Sequence, residues 1–128
     1  LFRSAFVAGF IGSPRMNFLR ATAQPGGRLA VGGIEIESRA QSPLEPGRML
    51  QLGIRPEHLD EAGGLAIEAI VDFVEMLGST SYVHATLPSG ETLIAERRGV
   101  PPHAGERIPL RFAPASIRLF ADDGGRLR

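Results

Sequence analysis

The sequence predicts a small, mostly β domain, either a barrel or a sandwich, with one short helix near its N-terminal end. Many short segments alternate apolar and polar residues, which is the period of a strand with one buried face. Turns rich in Gly and Pro separate these segments at close spacing, as in small all-β folds. Residues 4–12 differ, because Phe6 and Phe10 lie four positions apart, the spacing of one helix face.

The expected helix covers residues 4–12, with Ser4 as its N-cap. It should stop at Gly12, Ser13 and Pro14, because Gly tolerates the left-handed exit and Pro cannot continue a helix. A helix this short is marginal alone, so its apolar face needs a partner surface. The segment can be an ordinary first element of this domain or the last element of a preceding one.

The first half of the β region is expected to contain four strands. These cover residues 16–23, 28–38, 49–54 and 65–77. The "PGG" sequence at 25–27 predicts a turn after the first strand, and Arg55-Pro56 should end the third. Residues 65–77 fit helical as well as strand spacing, but their β-branched content and the preceding Gly63-Gly64 favour a long, bent strand.

Four more strands are expected in the last third of the chain. They cover residues 82–87, 91–97, 107–112 and 117–120. The "PSG" sequence at 88–90 predicts a hairpin turn. Pro109 has no N–H for a sheet ladder, so its strand should lie at an edge or be bulged.

The composition argues against several kinds of site. The chain has no Cys, which excludes disulfides, thiolate metal sites and Cys nucleophiles. All 14 basic residues are Arg, and a phosphate-binding P-loop needs a Lys. His58, His84 and His103 lack metal-ligand spacing. We therefore expect no metal, no cofactor and no catalytic residue in this chain.

A hydrolytic triad and a nucleic-acid site are also disfavoured. Ser79, His84 and Asp72 could form a triad only by coincidence of folding, because no nucleophile-elbow pattern surrounds any Ser. Binding of single strands needs a basic groove with exposed aromatic rings. The net charge is zero and most Phe residues lie in apolar patterns that indicate core positions. The Arg97-Arg98 pair is expected at a solvated edge, so no nucleic-acid partner is expected.

No membrane span or signal peptide is expected either. No apolar run approaches the length of a span, and no cleavage-site pattern follows an apolar N-terminal segment. These patterns indicate an intracellular domain.

The sequence "LGIRPEHL" at 52–59 has the highest local density of charged and turn-forming residues. Pro56 should end the preceding strand, and Arg55 can form a bidentate pair with a carboxylate. Asp60 and Glu61 follow directly. This corner is either a turn held by an Arg–carboxylate pair or a contact surface for another domain or protein.

Four segments together resemble one protein family. They are "FVAGFIGSPRMNFL" at 6–19, "LGIRPEHL" at 52–59, "VEMLGSTSYVHATLPSGETLIAERRG" at 74–99 and "IRLFADDGGRLR" at 117–128. Their order and spacing are similar to those in ATPase subunits of bacterial ABC-class sugar importers, of the maltose and glycerol-phosphate types. The resembling region begins at the end of the nucleotide-binding domain and continues through the C-terminal regulatory domain, called TOBE, an OB-fold-like β-barrel.

The resemblance implies two parts in this chain. Residues 1–14 would be the end of a nucleotide-binding domain, with Gly12, Ser13 and Pro14 as the hinge, and residues 15–128 the TOBE domain. Relatives start their last ATPase helix with Pro-Ala-Asn, where this chain has Phe2-Arg3-Ser4. No Walker motif, signature motif or catalytic His loop is present. ATP and Mg would therefore belong to the rest of a longer parent protein, and this chain would not be an enzyme.

The resemblance also implies partners. Such domains form a homodimer, contact the ATPase domain of the same chain, and reach the membrane permease through the parent, on the cytoplasmic side of the inner membrane. In some relatives they receive a regulatory protein, and here Arg55, Pro56, Glu57 and His58 are the candidate contacts. The alternative is the small-oxyanion binding of the molybdate branch, for which Ser79, Thr80 and Ser81 after Gly78 could supply a nest.

Overall fold

The structure is a computed structural model that describes residues 15–60 and 64–122. Nine strands form in these ranges, and the only helical elements there are short 3₁₀ turns at Pro56–His58 and Pro114–Ser116. The strands are β1 Asn17–Gln24, β2 Arg28–Val31, β3 Ile34–Glu37, β4 Met49–Ile54, β5 Leu65–Leu77, β6 Thr80–Thr86, β7 Thr92–Arg98, β8 Arg107–Phe112 and β9 Arg118–Ala121. The mostly β class is thus confirmed, whereas the helix expected over residues 4–12 lies outside the described residues.

The strands form two antiparallel sheets that enclose one core. The first has the order β3-β2-β1-β4-β9 and the second the order β7-β6-β5-β8. Alternate residues of most strands point inward, as the period of two predicts. In β8, for example, Ile108, Leu110 and Phe112 are buried between exposed Arg107 and Pro109. Burial of such apolar rows from both sheets is the main stabilising contribution to this fold.

One of the strands predicted from the sequence is in fact two strands. Residues 28–38 do not form one strand but a hairpin, β2 and β3, in which Val31 pairs with Ile34. Gly32 and Gly33 between them have φ of 58° and 88°. Two consecutive positive φ values characterise the two-residue turn that matches strand twist, and Gly adopts them without steric cost. The buried phase shifts across this turn, from Leu29 and Val31 to Ile36, so one continuous strand does not fit the pattern. The Gly-Gly pair at the shift is itself a hairpin signal.

The long strand and the proline strand agree with expectation. β5 spans residues 65–77 in full, with an irregular register between Val71 and Phe73 where it pairs with β6. β8 lies at the edge of its sheet and pairs there only with β5, so Pro109 removes no N–H that the ladder needs. Position 64, just before β5, has to be Gly, because a Cβ there would lie 2.0 Å from the Phe112 carbonyl oxygen.

Candidate functional site

The two sheets are joined along one side by the side chain of Asn17. This residue begins β1 and is only 8% exposed. Its Nδ2 donates to the carbonyl oxygens of Ile94, at 2.9 Å, and Ile54, at 3.2 Å. Its Oδ1 accepts a hydrogen bond from the Ile94 N–H at 2.9 Å. A side-chain amide has both a donor and an acceptor, so Asn17 bonds β7 as a neighbouring strand would.

A second contact extends this seam along β1. Glu91, just before β7, accepts a hydrogen bond from the Arg20 N–H through Oε2 at 2.8 Å. Its other oxygen accepts from the Ser89 hydroxyl at 2.8 Å. Glu91 therefore connects the "PSG" turn to β1, and the turn positions the start of β7 against the first sheet.

The far end of β7 is held by Arg97. Its side chain is 16% exposed and forms an ion pair with Asp60, which follows the "LGIRPEHL" corner. Its Nη2 lies 3.4 Å from the Pro109 carbonyl oxygen on β8. Asp60 also forms an isolated parallel bridge with Arg111 of β8. Arg97 thus links the two edge strands of the second sheet to the corner after β4.

The corner itself differs from the sequence interpretation in one respect. β4 ends at Ile54 and the 3₁₀ turn begins at Pro56, so the prediction for Pro56 is confirmed. Arg55 is exposed, and none of the ion pairs among residues 15–60 and 64–122 includes it. The predicted Arg55–carboxylate pair is wrong for this part of the chain, because Asp60 pairs with Arg97 instead. Glu61 lies outside the described residues.

Arg97 was therefore misjudged as a solvated edge residue. The usable signal was its position in an alternating strand, where it shares the inward face with buried Leu93 and Ala95. An inward-facing Arg needs a carboxylate, and sequence alone does not say which one.

The four candidate contacts at the corner differ in accessibility. Arg55 and Glu57 are exposed, His58 is half-buried and Pro56 is buried. Pro56 therefore acts within the fold, and the other three remain a predicted contact surface. The predicted hinge at residues 12–14 lies outside the described residues.

The outer face of β5 carries exposed apolar side chains. Ile70, Phe73 and Leu77 are 37%, 52% and 57% exposed. They lie on the sheet surface opposite the core, where the register change after Val71 turns Phe73 outward, and Glu75 lies between Phe73 and Leu77. The Phe73 ring stacks on His84, with centroids 4.1 Å apart, and His84 Nε2 lies 2.6 Å from Glu75 Oε1. We call Ile70, Phe73 and Leu77 the β5 apolar face.

The expectation that most Phe residues are core residues is wrong for the described ones. Phe112 is buried at 1% exposure, but Phe18 is 49% exposed and packs edge-on against Phe120. For Phe73 the physical reason is the irregularity in β5, which shifts the inward phase from Val71 to Val74. The apolar periodicity of a single segment does not show at which residue such a change of the inward face occurs.

In the described ranges, the geometry supports neither the Ser79–His84–Asp72 triad nor an oxyanion nest after Gly78. Asp72 accepts a hydrogen bond from Thr86 and His84 contacts Glu75, so the two belong to different pairs. Gly78 and Ser79 form the turn between Leu77 and Thr80, with a φ of 81° at Gly78, which makes this segment a hairpin.

Residues 15–60 and 64–122 contain no cluster of three metal-ligating side chains. No helix in them is long and apolar enough to span a membrane.

Two family models cover almost all of the described region. A TOBE domain model matches residues 52–120. The chain belongs to the TOBE domain family. A model of the MalK OB fold domain matches residues 12–59. The resemblance noted from the four sequence segments is thereby confirmed, and the TOBE match includes β5 to β8, Arg97 and the β5 apolar face.

Similar curated proteins are ATP-binding proteins of importers. The chain is 41% identical over 122 residues to the sn-glycerol-3-phosphate import ATP-binding protein UgpC of Chromobacterium violaceum, covering 91% of this chain and 33% of that protein. It is 38% identical over 135 residues to the lactose transport ATP-binding protein LacK of Rhizobium radiobacter, covering 96% and 37%. UgpC of Cereibacter sphaeroides is 42% identical over 127 residues, covering 96% and 35%. The chain spans about a third of the length of these relatives.

Replacing Asn17 by Leu should destabilise the domain markedly. The substitution keeps the side-chain size but leaves the Ile94 N–H and carbonyl without their partner, at a cost of about 2 kcal/mol. Urea unfolding gives the free energy of unfolding. The matched control is Thr22→Val on the same strand, where the hydroxyl lies 3.5 Å from Met49 Sδ and the expected change is within about 0.5 kcal/mol. Equal effects of the two substitutions would contradict the assigned function of Asn17.

The Asp60–Arg97 pair should show measurable coupling in a double-mutant cycle. Asp60→Asn, Arg97→Gln and the double variant should give a coupling energy of about 1 kcal/mol, because Arg97 is largely shielded from water. The control cycle uses Arg28 and Glu35, which are 42% and 57% exposed at 3.5 Å. Its expected coupling is about 0.3 kcal/mol. A coupling at Asp60–Arg97 no larger than this would show that the pair does not hold β7.

Proposed function

We propose that this chain is the C-terminal regulatory and dimerisation domain of the ATP-binding subunit of an ABC importer for a sugar or glycerol phosphate. One observation carries the proposal: the TOBE and MalK OB fold matches follow each other along residues 12–120. The relatives named above, which are import and transport ATP-binding proteins, support it further.

The chain itself is proposed to be non-enzymatic. The absence of Lys from its sequence leaves no P-loop. In the proposed parent, a preceding domain would bind ATP and Mg and hydrolyse the nucleotide. The same parent would contact the permease subunits at the cytoplasmic face of the inner membrane, and a regulatory protein would bind at Arg55, Glu57 and His58.

A domain exchange tests the proposal. The homologous C-terminal third of Chromobacterium violaceum UgpC would be replaced by residues 15–128 of this chain, and glycerol-phosphate import measured in cells that lack UgpC. The controls are native UgpC and a truncation without that third, with protein amounts matched by immunoblot. Import clearly above the truncation supports the proposal. Import no higher than the truncation at equal protein amounts contradicts it.

Among the proposed partners, a second copy of this chain is the one whose binding can be tested most directly from the structure. The β5 apolar face presents three exposed large side chains on the outer surface of one strand, with Glu75 between Phe73 and Leu77. Exposed apolar surface rimmed by polar residues marks contact sites. The zero net charge keeps repulsion between copies weak. We propose that two copies pair through this face.

Light scattering of the 128-residue chain should therefore show a dimer that Phe73→Gln with Leu77→Gln converts to monomer. Phe18→Gln is the matched control, because Phe18 is 49% exposed on the other sheet. Deleting residues 1–12 should leave the dimer intact. A dimer lost on this deletion but kept in the Phe73 and Leu77 variant would assign the contact to the N-terminal segment and contradict the proposal.

A further inference from the structure

The outer face of the first sheet carries an apolar cluster that is separate from the β5 apolar face. The Phe18 ring of β1 packs edge-on against the Phe120 ring of β9, with ring centroids 5.5 Å apart. β4 lies between these two strands in the sheet. Phe18 is 49% exposed, and Met16 and Phe120 are half-buried. We call Met16, Phe18 and Phe120 the β1–β9 apolar face.

Gly53 of β4 allows these side chains to meet. A Cβ at this position would lie 2.4 Å from Met16 Sδ and 3.0 Å from Phe120 Cε1. The Met16 and Phe120 side chains therefore lie directly over the Gly53 backbone and bury it from the outer side of the sheet. A side chain at position 53 would push both of them away. The cluster is thus built into the sheet and is not a chance contact of mobile side chains.

The surroundings of this face are those of a contact site. The next outward positions on β1 and β4 are the polar residues Arg20 and Gln51, which are register partners. Exposed apolar surface with a polar rim marks a site of interaction. Because the Phe18 and Phe120 rings already pack against each other, a partner would not have to order them, which lowers the cost of binding.

The chain itself supplies an apolar partner directly before β1. Within residues 4–12, the large apolar residues are Phe6, Val7, Phe10 and Ile11. Four residues separate Ile11 from Met16, so even a fully extended chain keeps these two within about 17 Å of each other. The face is about 10 Å wide, since β1 and β9 lie two strand spacings apart. The apolar segment therefore begins within reach of the face.

We propose that Phe6, Phe10 and Ile11 pack on the β1–β9 apolar face of the same chain. The contact removes apolar side chains of both partners from water, which is its main driving force. The short connection also keeps the segment at a high effective concentration near the face. Residues 6–11 would then pack with residues 15–128 even without a preceding domain. The inference concerns a contact inside the 128-residue chain and does not rest on the proposed importer function.

A single Trp tests this contact in the full chain. The sequence has no Trp, so in the Phe18→Trp variant all Trp fluorescence comes from position 18, where an aromatic ring is kept. Quenching by acrylamide measures how exposed that ring is. Adding Phe6→Gln with Phe10→Gln should raise the quenching constant about twofold, because the covering side chains are removed. The emission maximum should move to longer wavelength at the same time.

Two controls separate a specific contact from a general effect of polarity. Ala5→Gln with Ala8→Gln adds the same polar groups to the segment at positions outside its large apolar residues, and should leave the quenching constant unchanged. Phe73→Trp moves the reporter to the β5 apolar face, where Phe73 is 52% exposed. Quenching there should respond to neither pair of substitutions. Thermal unfolding checks that every variant remains folded.

The results also identify which chain covers the face. Quenching at position 18 that is the same over about a hundredfold range of protein concentration supports a contact within one chain. Protection that increases with concentration would assign the cover to a second copy and overturn the proposal. Equal quenching at position 18 with the native segment and with the Phe6 and Phe10 substitutions would overturn it as well, because residues 6–11 would then not cover the face.

Discussion

The position of β7 depends on side chains to an unusual extent, and the Asn17 amide is the most important of them. β7 pairs with β6 through backbone bonds, but its other edge faces β1 of the other sheet. There Asn17 supplies the donor and acceptor that Ile94 would otherwise lack. An unpaired buried backbone group costs as much as a lost hydrogen bond. Without this amide the two sheets would meet along an unsatisfied edge, so the closed core depends on it.

Arg97 completes the closure at the other end of the same strand. It connects β7 to Asp60, directly after the "LGIRPEHL" corner, and to the edge of β8. Asp60 thus helps to hold β7 in place through Arg97, whereas the side chains of the β5 apolar face lie on the outer surface.

Much of the fold could be predicted from the sequence, because alternation and turn residues are local signals. The strand β5 and the turn at 88–90 followed from them, and the strand of Pro109 lies at an edge, which is one of the two positions that its missing N–H predicted. What could not be predicted depended on register. The β5 irregularity turned Phe73 outward, and Asp60 pairs with Arg97 rather than with Arg55. Each of these needs knowledge of which strands are neighbours, and single segments do not contain it.

Native-state hydrogen exchange of β7 tests the central claim most directly. In an antiparallel strand alternate residues bond to the same side, so the amides of Ile94 and Glu96 both point away from β6. Only that of Ile94 has an assigned acceptor among the described residues, the Asn17 Oδ1. The account predicts that the Ile94 amide exchanges at least about a hundredfold more slowly than the Glu96 amide, since its opening requires separation of the two sheets. Exchange of Ile94 as fast as that of Glu96 would contradict it.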